Sequence, residues 1–291
     1  MGAGNDASGN WFWTGVMDAK VMRKNRRLEF LMLQQPILLT NDDGYDAPGL
    51  KALWDCVKRM GFENVRIAAP ARGWSVRSHA TTVDPQEAIR IEPLKLDGMA
   101  GVVIDGFPAD CSRVGLVGLD LFGGQKPLVL AGINGGANLG IDAYYSGTLA
   151  AAREAVALGF PAIALSLLTG KDGERNWERT SRWAAEVLGW LIPHVLETGC
   201  SLWNVNFPSA PLADPPPVQV VPMSPDPLAV AFRAHSEQAD GLSYAGPYFQ
   251  RPARPGTDVE ALFSGVISIT PMKLDVTDYE LLEGVKGKKG S

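Results

Sequence analysis

Asn41-Asp42-Asp43-Gly44 closes a short apolar run, Pro36 to Thr40, with an amide, two adjacent carboxylates and a glycine. Carboxylates side by side repel each other, and a hard cation offsets that repulsion while binding both oxygens. A second polar stretch, Ala71 to Thr82, carries Arg72, Ser75, Arg77, Ser78, His79, Thr81 and Thr82. A third, Asn134-Gly135-Gly136-Ala137-Asn138-Leu139-Gly140, offers two neutral amide oxygens of the kind that complete a Mg²⁺ or Mn²⁺ shell. Ser146-Gly147-Thr148 then opens a run of alanines, where a helix N-terminus either is simply capped by a hydroxyl or holds a phosphate on its free N–H groups.

Each of these groups follows a segment that positions it. Ile37–Thr40, Val65–Pro70, Val102–Asp105, Leu128–Ile133 and Ala162–Leu167 read as buried strands. Leu50, Leu53, Trp54, Val57 and Met60 recur at helical spacing, and Gly61 closes that helix. A further helix runs from Pro108 to about Leu119, and a long one from Trp177 to about Ile192, where Pro193 is expected to end or kink it. Strand, helix and strand in succession predict βαβ units: a Rossmann-like α/β core with a mostly parallel sheet flanked by helices. Open sheets of this kind bind ligands at the carboxyl ends of their strands, where all four polar stretches fall. The glycine spacing is neither a dinucleotide fingerprint nor a P-loop.

The expected organisation is a disordered leader (1–34), a catalytic core (35–208), a peripheral hairpin or arm with a returning strand (209–278) and a flexible tail (279–291). Of the 291 residues, 46% are apolar and 20% charged, an ordinary globular balance. A net charge of −5 argues against binding of a DNA or RNA duplex, and no stretch approaches the length of a membrane span. Cys56, Cys111 and Cys200 are odd in number and far apart, which predicts buried reduced thiols in a cytoplasmic protein.

Several motifs in one order resemble the SurE family. They are Asn41 to Gly44 with Ala47-Pro48-Gly49, Ala69-Pro70 with Ser75, Gly106 to Asp110, Gly132-Ile133-Asn134 with Gly136 to Gly140, and Tyr145 to Thr148. Asn204 to Pro208, Pro255 to Asp258 and Val266 to Pro271 continue the likeness. The resemblance implies a metal-dependent phosphatase acting on nucleoside 5′- and 3′-monophosphates, with one divalent cation per subunit. It implies Asp42, Asp43, Ser75 and Asn134 as metal ligands, and Asn138, Ser146, Gly147 and Thr148 near the phosphate, where Asn41 is a further candidate. It also implies an arm that exchanges between subunits of a homodimer or homotetramer. Departures from the family pattern stand at Ala131, Phe107 and the loop after Ser75.

A phosphomonoester dianion repels nucleophiles, so this chemistry needs positive charge at the phosphoryl oxygens and an in-line water. Asp42 or Asp43 is the candidate base for that water, and His79 the candidate acid for the leaving alkoxide. A phospho-aspartyl route is disfavoured, because adjacent carboxylates suit a ligand role and no lysine lies in the matched loops. The alternatives from other classes are a non-catalytic metal- and nucleotide-binding sensor and a nucleotide-sugar-dependent transferase.

Overall fold

The computed structural model describes residues 33–170, 172–199, 201–228, 230–236 and 240–287, together with the strands β1 (Ala3–Asn5) and β2 (Trp11–Trp13). The core begins with β3 (Ile37–Thr40), α1 (Pro48–Arg59) and β4 (Val65–Pro70). An edge strand β5 (Arg90–Pro93) precedes β6 (Gly101–Asp105), α2 (Pro108–Arg113), β7 (Leu128–Asn134) and α3 (Gly147–Ala157). The chain continues through β8 (Ala162–Leu167), α4 (Trp177–Thr198) and β9 (Leu202–Phe207).

Strands β6-β4-β3-β7-β8-β9 lie side by side and all parallel. In chain order this is the 3-2-1-4-5-6 arrangement of the dinucleotide-binding fold. The chain runs outward from β3 to β6 and then returns to place β7 on the other side of β3. The crevice between the carboxyl ends of β3 and β7 is therefore the switch point where such sheets bind ligands.

Alternation along the strands fills both faces. Ile37 and Leu39 pack with Leu50, Leu53 and Val57 of α1 and Leu188 and Leu191 of α4. Leu38, between them, points the other way, into a layer with Ala151, Ala152 and Ala155 of α3. The small side chains of that second layer let α3 approach the sheet closely.

The rest of the chain completes this sheet. β10 (Val218–Val220) and β13 (Ile267–Met272) extend it beyond β9, with β13 antiparallel to β9 and parallel to β10. Between them β11 (Phe232–Ala234) and β12 (Leu242–Tyr244) form a separate hairpin, and α5 (Asp258–Phe263) packs on β13. A short turn, Tyr248–Gln250, follows the hairpin.

Three expectations are revised. Helix α4 passes through Pro193 to Thr198, because Leu191, Ile192 and Val195 stay buried on the sheet and continue its apolar stripe beyond the proline. The expected tail contains the exposed helix α6 (Tyr279–Gly287), while 288–291 lie outside the described residues. The expected leader falls mostly outside them too, but β1 and β2 pair with each other and β2 pairs with β10. Cys56 and Cys111 are buried and unpaired, whereas Cys200 is outside the described residues. Among the described residues no helix is long and apolar enough to cross a membrane.

Candidate active site

The carboxylate pair stands at the end of β3, facing the switch-point crevice. Asn41 closes the turn by donating from Nδ2 to the Gly44 carbonyl at 2.7 Å. Gly44 sits at φ +113°, a conformation that side chains disfavour. The Asp42 carbonyl accepts the Trp74 N–H at 2.7 Å, which ties the loop after β4 to this turn. Asp42 is 4% exposed, and its Oδ1 accepts from Thr148 Oγ1 at 2.5 Å. Asp43 Oδ2 accepts the Gly135 N–H at 3.0 Å, which draws the loop after β7 onto the second carboxylate.

Among the described residues, neither carboxylate is in an ion pair. Burial, reinforced by the Asp43 charge, pushes the Asp42 carboxyl up to about 7 in spite of the bond from Thr148. Asn41 Oδ1 is buried without a hydrogen-bond partner. These are the marks of a site short of positive charge, and the donors fit a hard divalent ion: two carboxylates and neutral amide or hydroxyl oxygens. No cluster of three or more His, Cys, Asp or Glu able to hold a metal occurs among the described residues, so thiolate and imidazole sites are not offered there.

The start of α3 presses against this pair. A Cβ on Gly147 would lie 2.8 Å from both Cβ and Oδ2 of Asp42, so only glycine permits the approach. Ser146 is the cap, its side chain accepting the Leu149 N–H at 3.0 Å. The cap and the carboxylate contact thus belong to different residues, Ser146 and Thr148.

The loop after β7 is held from β8, β9 and the C-terminal part of the chain. Asn134 donates from Nδ2 to the Gly136 carbonyl at 2.6 Å. The Asn138 N–H donates to Asn206 Oδ1, its Nδ2 to Ser166 Oγ, and its carbonyl accepts from Asn204 Nδ2, each at 2.8 Å. The Gly140 N–H donates to Asp258 Oδ2 at 2.8 Å, and Tyr248 donates its hydroxyl to the Ala137 carbonyl at 3.2 Å. Asn204, Asn206, Asp258 and Tyr248 received no role from the sequence. The alternation Asn204-x-Asn206 inside a wholly buried strand was the available signal, since buried amides need partners.

The loop 71–82 arches across the crevice. Ser75 follows the tethered Trp74, but its side chain is exposed and makes no hydrogen bond among the described residues. Ser78 donates from Oγ to the Tyr144 carbonyl at 2.8 Å and from its N–H to the Tyr145 carbonyl at 3.1 Å. His79 Nε2 lies 2.8 Å from Oε2 of Glu154, a buried residue of α3 for which the sequence carries no signal. The hydrogen bond from His79, joined by that from Arg113, holds the Glu154 carboxyl below its usual range against the effect of burial. His79 is thus anchored to α3, with no hydrogen bond to Asp42 or Asp43.

At the switch point Asp42 thus meets Gly147 and Thr148, and Asp43 meets Gly135. The family model described as survival protein SurE matches residues 37–226. The chain belongs to the SurE family. Within it, the chain is 37% identical over 259 residues to a 5′-nucleotidase SurE of Carboxydothermus hydrogenoformans, which takes in 86% of this chain and 94% of that protein. It is 37% identical over 252 residues to a 5′/3′-nucleotidase SurE of Yersinia pestis, with the same 86% and 94% coverage. The crystal structure of the SurE protein from Aquifex aeolicus superposes with a TM-score of 0.68 at 31% identity, covering 87% of this chain and 99% of that one. The SurE match includes β3 through β10, and so the carboxylates, both polar loops and the start of α3.

Proposed function

We propose that this chain hydrolyses nucleoside 5′- and 3′-monophosphates to nucleoside and phosphate, using one divalent cation per subunit, Mg²⁺ or Mn²⁺. The observation that carries the reading is a carboxylate pair, Asp42 buried and Asp43 half-buried, without a cationic partner among the described residues and packed against the start of α3. The relatives named 5′-nucleotidase and 5′/3′-nucleotidase support the substrate class. Asp42, Asp43, Ser75 and Asn134 are the residues that would hold the ion. Bound there, it supplies positive charge to the phosphoryl oxygens and acidifies the attacking water.

The chain's own groups supply the rest. The Gly147 N–H at the start of α3 donates to the phosphate together with Asn138 and the Ser146 hydroxyl, with Asn41 beside them, while the Leu149 N–H stays on the Ser146 cap. Thr148, whose hydroxyl already serves Asp42, acts on the phosphate through that carboxylate. Water attacks phosphorus, one carboxylate of the pair takes its proton, and the P–O ester bond breaks. The leaving nucleoside oxygen takes up a proton, for which His79, oriented by Glu154, is the donor in this reading.

Exposed Phe232, Leu242 and Tyr244 on the β11–β12 hairpin support an arm that packs on a second subunit, giving a homodimer or homotetramer. Buried unpaired Cys56 and Cys111 are compatible with the reducing cytoplasm we assign it to. The test is phosphate release from a nucleoside monophosphate with Mg²⁺ or Mn²⁺, with and without chelator. Asp43→Asn in folded protein is expected to abolish turnover, and full turnover in that variant would overturn the ligand assignment.

A further inference from the structure

We infer that Trp74 and Phe107, with the Arg72 guanidinium, form the platform that receives the nucleobase of the substrate. This rests on the nucleotide reading above and goes beyond it by assigning where the base binds. The rings of Trp74 and Phe107 are 4.7 Å apart between centroids and inclined at 50°. The Arg72 guanidinium carbon lies 4.4 Å from the Trp74 ring centre. All three residues reach solvent, Arg72 exposed and the two aromatic residues half-buried. Arg72 has no carboxylate partner among the described residues, and the Trp74 Nε1–H is left without an acceptor.

Sheet order gives the placement. Along the carboxyl edge the sequence of elements is β7 with its α3 start, β3 with the carboxylates, β4 with Trp74, and β6 with Phe107. Neighbouring strands are about 4.8 Å apart, so the platform begins one strand from the carboxylates and extends to roughly 10 Å. That is the offset a ribose places between a phosphate and its base. The phosphate end is fixed on the α3 side, which leaves the sugar and base to extend the opposite way, toward β4 and β6.

The platform is also rigid. The Trp74 N–H is bound to the Asp42 carbonyl, so the indole keeps its register with the carboxylates. Buried Asp110 accepts from the Phe107 N–H at 3.0 Å and from the Thr82 N–H at 2.9 Å, joining the Phe107 turn to the end of the Trp74 loop. Aromatic faces and guanidinium planes both stack on bases with little preference among them, so the platform selects nucleotides over simple phosphomonoesters without selecting one base.

The test compares adenosine 5′-monophosphate with ribose 5-phosphate, which has the same ester and no base. In Trp74→Ala and in Phe107→Ala the ratio of the two kcat/KM values is expected to fall about tenfold, and Trp74→Phe to restore most of it. Calorimetric binding of the same two ligands to each variant gives the ratio independently of turnover. An unchanged ratio in both measurements overturns the platform. If wild-type protein releases no phosphate from either ester, the hydrolase reading fails, and the binding ratio still decides the platform.

Discussion

Thr148→Val isolates one bond at the centre of the site. The substitution keeps the buried shape and deletes the hydroxyl that donates to Asp42 Oδ1 at 2.5 Å. Ser146 remains as the cap, so the helix start is not lost with it. A hydrogen bond to a charged group contributes about 1.5–3 kcal/mol, and each pKa unit corresponds to about 1.4 kcal/mol. Asp42, already pushed up to about 7, should therefore rise further by roughly one unit or more.

A cation binds the ionised form, so proton and metal compete for this carboxylate. Near neutral pH the wild type is about half ionised, and the variant roughly a tenth or less. The apparent affinity for Mn²⁺ at about pH 7 should fall roughly fivefold or more, with the two proteins converging as pH rises toward about 9 or beyond. Calorimetric titration with Mn²⁺ between about pH 6 and about pH 9 measures this. A loss of the same size at every pH, or no loss, would refute the idea that Thr148 works by keeping Asp42 ionised.

Gly147→Ala should abolish Mn²⁺ binding in a protein that still folds, because the new Cβ displaces Asp42; calorimetry together with circular dichroism checks both halves. Asn206→Ala strips the Asn138 N–H of its acceptor, and the melting midpoint should drop by an amount equivalent to about 2–4 kcal/mol, with turnover falling as the loop loosens. Metal-free protein should lose stability as pH rises from about 4 to about 7. Asp42 is protonated in both states below its unfolded value of 3.8, and above that only the folded state holds the proton, until about 7. The three-unit gap corresponds to about 4 kcal/mol, and Mg²⁺ or Mn²⁺ should reverse the loss above about pH 7, read as a melting midpoint across pH with and without ion.

The sequence makes the parallel core legible because its strands are continuous apolar runs ending in polar turns. Val65–Pro70 and Ala162–Leu167 are found with those same boundaries. Asp42, Asp43 and the Asn134 loop could be brought to one edge from strand order alone. What the sequence did not carry was partnership at a distance. Thr148 reads as one of two hydroxyls at a helix start, and only the fold puts it on a carboxylate 106 positions away. Glu154 reads as an ordinary polar break among alanines, whereas its burial against Arg113 and His79 depends on packing between α2, α3 and the arching loop. Local backbone preference at Pro193 predicts a break, but the buried stripe on both sides of it outweighs a proline's cost of about 3 kcal/mol.

The pair of carboxylates would be unstable as an isolated choice, since burial and mutual repulsion act together on Asp42. It persists because groups around it are fixed by something other than the pair. Gly135 donates from a loop whose far end is tied to Asn204, Asn206 and Asp258, and the Thr148 helix is tied through Glu154 to Arg113 and His79. Neither set of ties uses the carboxylates, so the site can hold its shape while lacking positive charge. A cation entering such a site spends little of its binding free energy on ordering ligands. It also binds the folded chain and not the unfolded one, so its affinity returns as folding stability by mass action. That dual return separates a built metal site from a chance meeting of two acidic side chains, for which adding the ion would leave the melting midpoint where it was.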